Sequence, residues 1–392
     1  MAWPLAVLLS ASAFACFWGR TRRRAVCGGA SDAGIALAAP SADQGVFVIF
    51  TRVSGAAAVG AMLVLAAACT APAQPARPTR ATAAATAPVG LPSPRAEPGA
   101  LTQAEARRIH ARFERLINRV SAARGAGVKQ VEAGLALQID QAQFRLGKLI
   151  GRQPKVRSRV TSVSFFIPRL QAHHVRWFVA RVVYARSSSS YVDLVFQEQT
   201  QGWRMVAGTT TPRKRKMASI AVTADGLSTA VGQHARGLTA SPRQLAQAHA
   251  ASNATFYTDP QARALIAPGY YTSEEAADDR ADSAVLRGQW TMQIHAQDLP
   301  DIYSLRTTDG GALTWYGVRK QLVYTAAIDG AARLSMAHNP YKTLSRGRSY
   351  SRQVTATSAS WYLAVIPAAT ARATSKAVII GDWWALLSMR GS

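Results

Sequence analysis

Three thiols, seven histidines and 21 acidic residues are the groups from which this 392-residue chain could build a reactive site. The thiols are Cys16, Cys27 and Cys69, and no cysteine follows Cys69. A lone thiol at the end of an apolar run has no disulfide partner behind it, which leaves modification of the sulfur as its chemistry. His173-His174 is the one adjacent histidine pair. A zinc site would need further ligands and has no downstream cysteine to draw on, so the pair reads as a solvated loop. The acids of 274–282 have helical spacing and no loop glycine, the pattern of a solvated helix face rather than a calcium loop. His249 or His295 beside an acid would serve as a general base if either lay in a pocket. Arg213–Lys216 (RKRK) is a basic loop suited to solvent or an anionic surface. No GxSxG, HExxH, Walker A, GxGxxG or CxxC pattern is present. Catalytic, cofactor-binding and metal-binding residues are therefore left unassigned, and no cofactor is expected.

The element that positions Cys69 is Thr51–Cys69, TRVSGAAAVGAMLVLAAAC. Arg52 supplies a positive start, and Val53–Ala68 has the length of a signal h-region and is short for a membrane span. Ala66-Ala67-Ala68 offers a small-residue cleavage site directly before the cysteine. This resembles the lipobox of bacterial lipoproteins. The resemblance implies that the Cys69 thiol receives a diacylglyceryl group and becomes a new N-terminus. The lipobox pattern has Leu, Val or Ile three residues before its cysteine, whereas here Ala66 stands there and Leu65 lies one place further back. An uncleaved signal anchor and a buried helix with an incidental cysteine are the alternative readings.

Residues 1–68 read as a signal peptide behind an N-terminal extension. Met1–Trp18 is mostly apolar but its arginines, Arg20 and Arg22 to Arg24, come after it, the reverse of a signal. A start at Val46, Val48 or Val53 would leave an ordinary short signal, with residues 1–45 not made. Residues 69–100 hold seven prolines among Ala and Thr. That composition buries too little apolar surface to offset its ordering entropy and predicts a disordered tether.

The folded body is predicted as α+β, in two units over 101–216 and 217–392. Thr102-x-x-Glu105 has capping-box spacing, with Ile109, Phe113, Leu116, Ile117 and Val120 on one helical face and arginines mostly off it. A second helix is predicted near 135–149. Short β-branched and aromatic strands follow at Val160–Ile167, Trp177–Tyr184, Tyr191–Gln197 and Trp203–Thr209. In the second unit Ser241-Pro242 opens one helix and Thr272–Arg287 forms another. Eight short strands are predicted from Gln289 to Met389. Asp309-Gly310-Gly311 and Asp329-Gly330 mark hairpins, and Thr223–Gly226 a turn. The tryptophans Trp177, Trp203, Trp290, Trp315, Trp361, Trp383 and Trp384 sit at strand positions, as core or as the lining of a cleft. Trp177–Val182 matches Trp361–Ile366 by residue class, which predicts equivalent, buried places for Trp177 and Trp361 in two similar meanders.

The signal and Cys69, the Pro/Ala/Thr tether, Val131–Gly134, Asp225-Gly226, Asp309–Leu313 and Trp361–Pro367 together resemble a domain family of unknown function. That family is found in lipoproteins and membrane proteins of high-GC Gram-positive bacteria. Each half also resembles cystatin-like and nuclear-transport-factor-2-like (NTF2-like) folds, in which a curved sheet wraps a helix. The family implies no catalytic residues. A formal charge of +25 favours anionic headgroups and acidic wall polymers and gives no sign of a specific nucleic-acid site. The reading is a lipid-anchored protein on the outer face of the cell membrane, with a non-enzymatic binding or assembly role. Its partner would be another envelope protein or an anionic wall polymer. The alternative is an enzyme with its site inside one cone.

Overall fold

Two capping boxes start the two halves of the body. The Thr102 hydroxyl accepts the Glu105 N–H while the Glu105 carboxylate takes the Thr102 N–H at 2.7 Å, which launches α1 (Gln103–Ala122). After α2 (Gly134–Leu149), Ser241 and Gln244 repeat the arrangement, with Pro242 at the first turn of α3 (Pro242–Ala254). Then come α4 (Pro260–Leu265), a π-helical turn (Tyr270–Glu274), α5 (Glu275–Ala284) and α6 (Tyr341–Ser345). The computed structural model describes residues 46–48, 98–152, 158–170, 175–286, 288–337, 340–371 and 375–392. Cys69, the run before it, the tether up to residue 97 and His173-His174 lie outside the described residues.

A short strand β1 (Val46–Val48) comes first in the chain. In the first half follow β2 (Val160–Phe166), β3 (Trp177–Tyr184), β4 (Ser190–Gln199) and β5 (Gly202–Pro212), close to their predicted bounds. In the second half the eight predicted short strands are four long ones. They are β6 (Trp290–Arg306), β7 (Ala312–Ala326), β10 (Gln353–Ile366) and β11 (Val378–Gly391). Between β7 and β10 lie β8 (Leu334–Met336) and β9 (Ser349–Tyr350), which form a small sheet with β1. The predicted breaks were polar or small residues inside continuous strands: Pro300, Arg319-Lys320-Gln321, Ser358-Ala359-Ser360 and Gly381-Asp382. Three of these carry register shifts against a neighbour: between Asp298 and Ile302 on β6, and, in the β10–β11 pairing, between Thr357 and Ser358 and between Leu363 and Ala364 opposite Gly381. The Asp309-Gly310 turn does close the β6–β7 hairpin, with Gly310 at φ +80° and the Asp309 carboxylate accepting the Gly311 N–H.

The large sheet has the order β2-β3-β4-β5-β11-β10-β7-β6, so each half is an antiparallel meander and the two meet at their last strands. That junction is a single pair, Asp382 opposite Thr210. The outer edges are also joined. Ser228 donates its N–H to Ile167 and accepts from Arg169 beyond β2, while Val231 donates to Ser304 and Thr229 accepts from Arg306 on β6. The Trp177 and Tyr303 rings meet at 5.3 Å across the two halves. The sheet thus wraps an interior shared by both. This interior core takes Val179, Val195 and Val206 from the first meander and Leu313, Trp315, Trp361 and Leu363 from the second. Leu135 and Ile139 of α2 complete it.

Three further cores lie around it. One packs α1 on the opposite face of the first meander (Phe113, Ile117, Phe178, Phe196). Another packs α3 on the opposite face of the second (Leu245, Tyr316, Tyr362, Ile379). The last fills the far ends of the long strands (Trp290, Leu322, Tyr324, Val354, Leu386). The predicted units 101–216 and 217–392 share the interior core, and Pro98–Ser392 falls in one compact unit. Trp361 is buried in the middle of the third strand of its meander, whereas Trp177 is half-buried and opens the second strand of its own. The expected equivalence of these two tryptophans is therefore corrected. They face one interior from unrelated strand positions.

Candidate functional site

A set of buried polar groups lies between the helices of the second half and its sheet. Tyr316 and Tyr362 stand directly opposite each other on β7 and β10, and both side chains face α3. His249, on α3, is wholly buried against them, with ring centroids 5.8 Å and 4.4 Å away. Its Nε2 lies 3.0 Å from the Tyr271 carbonyl oxygen and its Nδ1 lies 2.9 Å from the Tyr316 hydroxyl. A carbonyl only accepts, so Nε2 carries the proton and Nδ1 accepts from Tyr316. Burial drives the His249 pKa down to about 4, so the ring is neutral at pH 7. Burial likewise holds the Tyr316 hydroxyl protonated, as a donor must be. Tyr271 bonds Asp382 of β11, and burial raises its hydroxyl well above its ordinary range.

Beside this cluster, α5 lays Glu275, Asp279 and Asp282 on one face, at i, i+4 and i+7. They point inward. Lys320, in the middle of β7, reaches Glu275 at 3.3 Å and also bonds Asp279. Burial alone would lower the Lys320 ammonium, but Glu275 and Asp279 more than reverse this and raise it. Asp282 is the crowded member. Burial, then the charges of Asp279 and Asp278, push its carboxyl up to about 8. The acidic segment is thus a clamp of α5 onto β7, and the expectation of a solvated face holds only for its outward members such as Glu274.

The remaining predicted residues scatter. His295 is exposed on β6, away from this cluster. In the basic loop, Arg213 donates to the Ser188 carbonyl and lies over Tyr191, Arg215 lies over Tyr271, and Lys214 and Lys216 are exposed. Trp290, Trp315 and Trp361 are buried, while Trp177, Trp203, Trp383 and Trp384 are half-buried. Tyr316, Lys320, Tyr362 and Asp382 were not anticipated. The i, i+4, i+7 spacing of the three acids was the available signal for an inward-facing acidic row, which calls for a cation opposite.

Chemically the arrangement is a locked polar core. Both ring nitrogens of His249 are bonded within the protein and none of its surface reaches solvent. Among the described residues no group of three or more His, Cys, Asp or Glu is placed to hold a metal ion, and no helix is long and apolar enough to cross a membrane.

No curated protein and no solved structure matches the chain. A family model does, over residues 97–386, from just before α1 to Leu386 within β11, and its description is a domain of unknown function, DUF8094. The match takes in both meanders and the wall that joins them, and the chain belongs to that family.

Proposed function

We propose that this is a lipid-anchored, non-enzymatic binding protein of the outer face of the cell membrane. Its body, on a tether of about 30 residues, engages an envelope protein or an anionic wall polymer. The observation that carries the reading is Cys69, placed directly after a signal-like apolar run and followed by no other cysteine. In this reading each half is a helix-plus-meander unit of the cystatin-like or NTF2-like kind. The order of helices first and four antiparallel strands after, in both halves, supports it. The enclosure of His249 supports binding over catalysis, because a general base needs a nitrogen that substrate can reach.

The test is metabolic labelling with a fatty-acid analogue in a bacterial host that lipidates exported proteins. Wild type should carry label and partition with membranes, and Cys69→Ala should lose the label. Equal labelling of the two would remove the anchor and, with it, the proposed location.

A further inference from the structure

The outward side of α1 carries a row of positive charge. Arg108, Arg112, Arg115 and Arg119 follow one another at spacings of four, three and four. At 100° per residue they fall within an arc of about 60°, and at 1.5 Å per residue the row runs about 16 Å. It lies opposite the buried face, Ala106, His110, Phe113, Ile117 and Val120. All four are exposed, and among the described residues none makes an ion pair or side-chain hydrogen bond. Four arginines elsewhere are held in ion pairs: Arg181 with Asp193, Arg243 with Asp298, Arg176 with Glu198 and Arg169 with Asp225. The acids of α1 are committed as well, Glu105 to the capping box and Glu114 to the Tyr184 hydroxyl. Arg204 of β5 adds a fifth positive charge close to Arg112. Burial and the Arg112 charge together lower its pKa, the mark of like charges held side by side.

We propose that this arginine row is the docking surface for a linear, phosphodiester-linked anionic polymer of the cell wall. The proposal rests on the extracytoplasmic location given above. The row supplies what such a polymer needs. Guanidinium forks match phosphate oxygens in pairs, and a row of like charges, offset at one end by Glu105 beside Arg108, gains from an anion laid along it. The geometry disfavours a membrane surface. The row is one side chain wide, Ala104, Ala111 and Ala122 flank it, and the apolar side of α1 is sealed in the core, so the helix has nothing to insert among acyl chains.

The experiment is titration of the full-length protein in detergent with purified poly(glycerol phosphate), at several salt concentrations. One variant carries Arg→Gln at 108, 112, 115 and 119, which keeps good helix formers in place. A control carries Arg→Gln at 236, 346, 352 and 390, four exposed arginines outside α1 with the same total charge change. The row variant should bind at least tenfold more weakly and lose about 3 from the slope of log affinity against log salt, while the control stays within about threefold. Equal losses in the two variants, or none in the row variant, would overturn the proposal. So would tighter binding, through the row, to phosphatidylglycerol vesicles or to single-stranded DNA than to the polymer. Detergent removes any need for acylation, so this outcome and the Cys69→Ala labelling can fail independently.

Discussion

The two meanders share a strand count and a connectivity, yet differ in strand length. The first is built from strands of 7 to 11 residues, the second from strands of 14 to 17. A short strand fills one core on each face. A long strand crosses from one core to another along its own length. The tips of β7 and β10 nearest their Ala312–Ile366 pairing serve the interior and the α3 core, and their other ends serve the far core with Trp290 and Tyr350. Each crossing point is where a polar or small residue appears. One of them, Lys320, is where α5 brings its acids. The extra length of the second half is thus what creates room for the Lys320 cluster.

Both halves nevertheless open with one device. Each buried histidine follows its capping residue by eight positions, His110 after Thr102 and His249 after Ser241. The chain before each cap bonds to an Ile-Pro corner in the same register. Ala100 donates to the Pro168 carbonyl and Thr239 to that of Pro367, both at 3.0 Å. Leu170 and Ala369 return bonds to Pro98 and Gly237, both at 2.9 Å. The partners of the histidines then diverge. His110 lies 3.5 Å from Glu114 among Phe165 and Phe196, whereas His249 is enclosed by tyrosines.

The largest test of this contrast compares two tryptophans of the shared interior. Trp361→Ala should cost about 3–5 kcal/mol, because a wholly buried indole leaves a cavity that the sheet cannot collapse into. Trp177→Ala should cost about 1–2 kcal/mol, since its side chain is already partly in water and less apolar area is lost. Urea midpoints measure both, and equal costs would mean that the two positions are equivalent after all. The next test sets the charged helices against each other. Lys320→Met leaves Glu275 and Asp279 partly buried without their cation and should cost about 2–4 kcal/mol. Arg115→Gln on α1 should change stability by no more than about 0.5 kcal/mol.

How much of this was legible follows from the range of each signal. The first capping box, α1, α2, the start of α3 at Ser241-Pro242 and the first four strands depend on neighbours a few residues apart and stand where the sequence places them. By contrast, α4 and α6 were not expected, and the helix expected over Thr272–Arg287 is a π-helical turn followed by α5 (Glu275–Ala284). The long strands were cut in two because Arg319-Lys320-Gln321 or Ser358–Ser360 look like turns to any local rule. What keeps them extended is pairing on both sides, with β6 and β10 in one case and β7 and β11 in the other. The inward turn of Glu275 and Asp279 was likewise set by a lysine 41 to 45 positions away. The pairing of Trp177 with Trp361 failed because matching residue class along a strand says nothing of which strand in the order it is.

The junction between the halves offers a mid-sized effect. A Cβ on Gly381 would sit 2.3 Å from the Thr211 hydroxyl and 2.7 Å from the Thr210 carbonyl oxygen, so β5 and β11 come together only because nothing projects there. Gly381→Ala should cost about 1–3 kcal/mol through overpacking. Gly208→Ala should cost less, because its Cβ would meet the Trp383 ring at 2.9 Å, a side chain that can shift, rather than backbone. A neutral Gly381→Ala would mean that the two meanders can separate at this seam without loss.

A last contrast separates the halves by pH. One buried aspartate from each half makes the contrast: Asp193 is held by two nitrogens of the Arg181 guanidinium, at 2.8 and 2.9 Å, while Asp282 sits among Asp278 and Asp279. Burial first, and those acids next, raise the folded-state pKa of Asp282 to about 8 from an ordinary 3.8. Between those values the folded protein holds a proton that the unfolded chain has released. Stability from this group therefore falls as pH rises from about 4 to about 8. His249 acts in the opposite sense over a lower window. Its folded pKa of about 4 lies below the ordinary 6.5, so it costs stability as pH falls through that range. Comparing wild type with Asp282→Asn cancels His249, which both carry. Asn cannot ionise, so the variant should gain on wild type steadily from pH 4.5 to 8, by about 1–2 kcal/mol in all, below the full linkage limit because Lys320 lies near enough to offset part of the charge. Unfolding midpoints across that range give the curve. A flat difference would mean that Asp282 is ionised in the fold and shares Lys320, making its half no different from the one that holds Asp193.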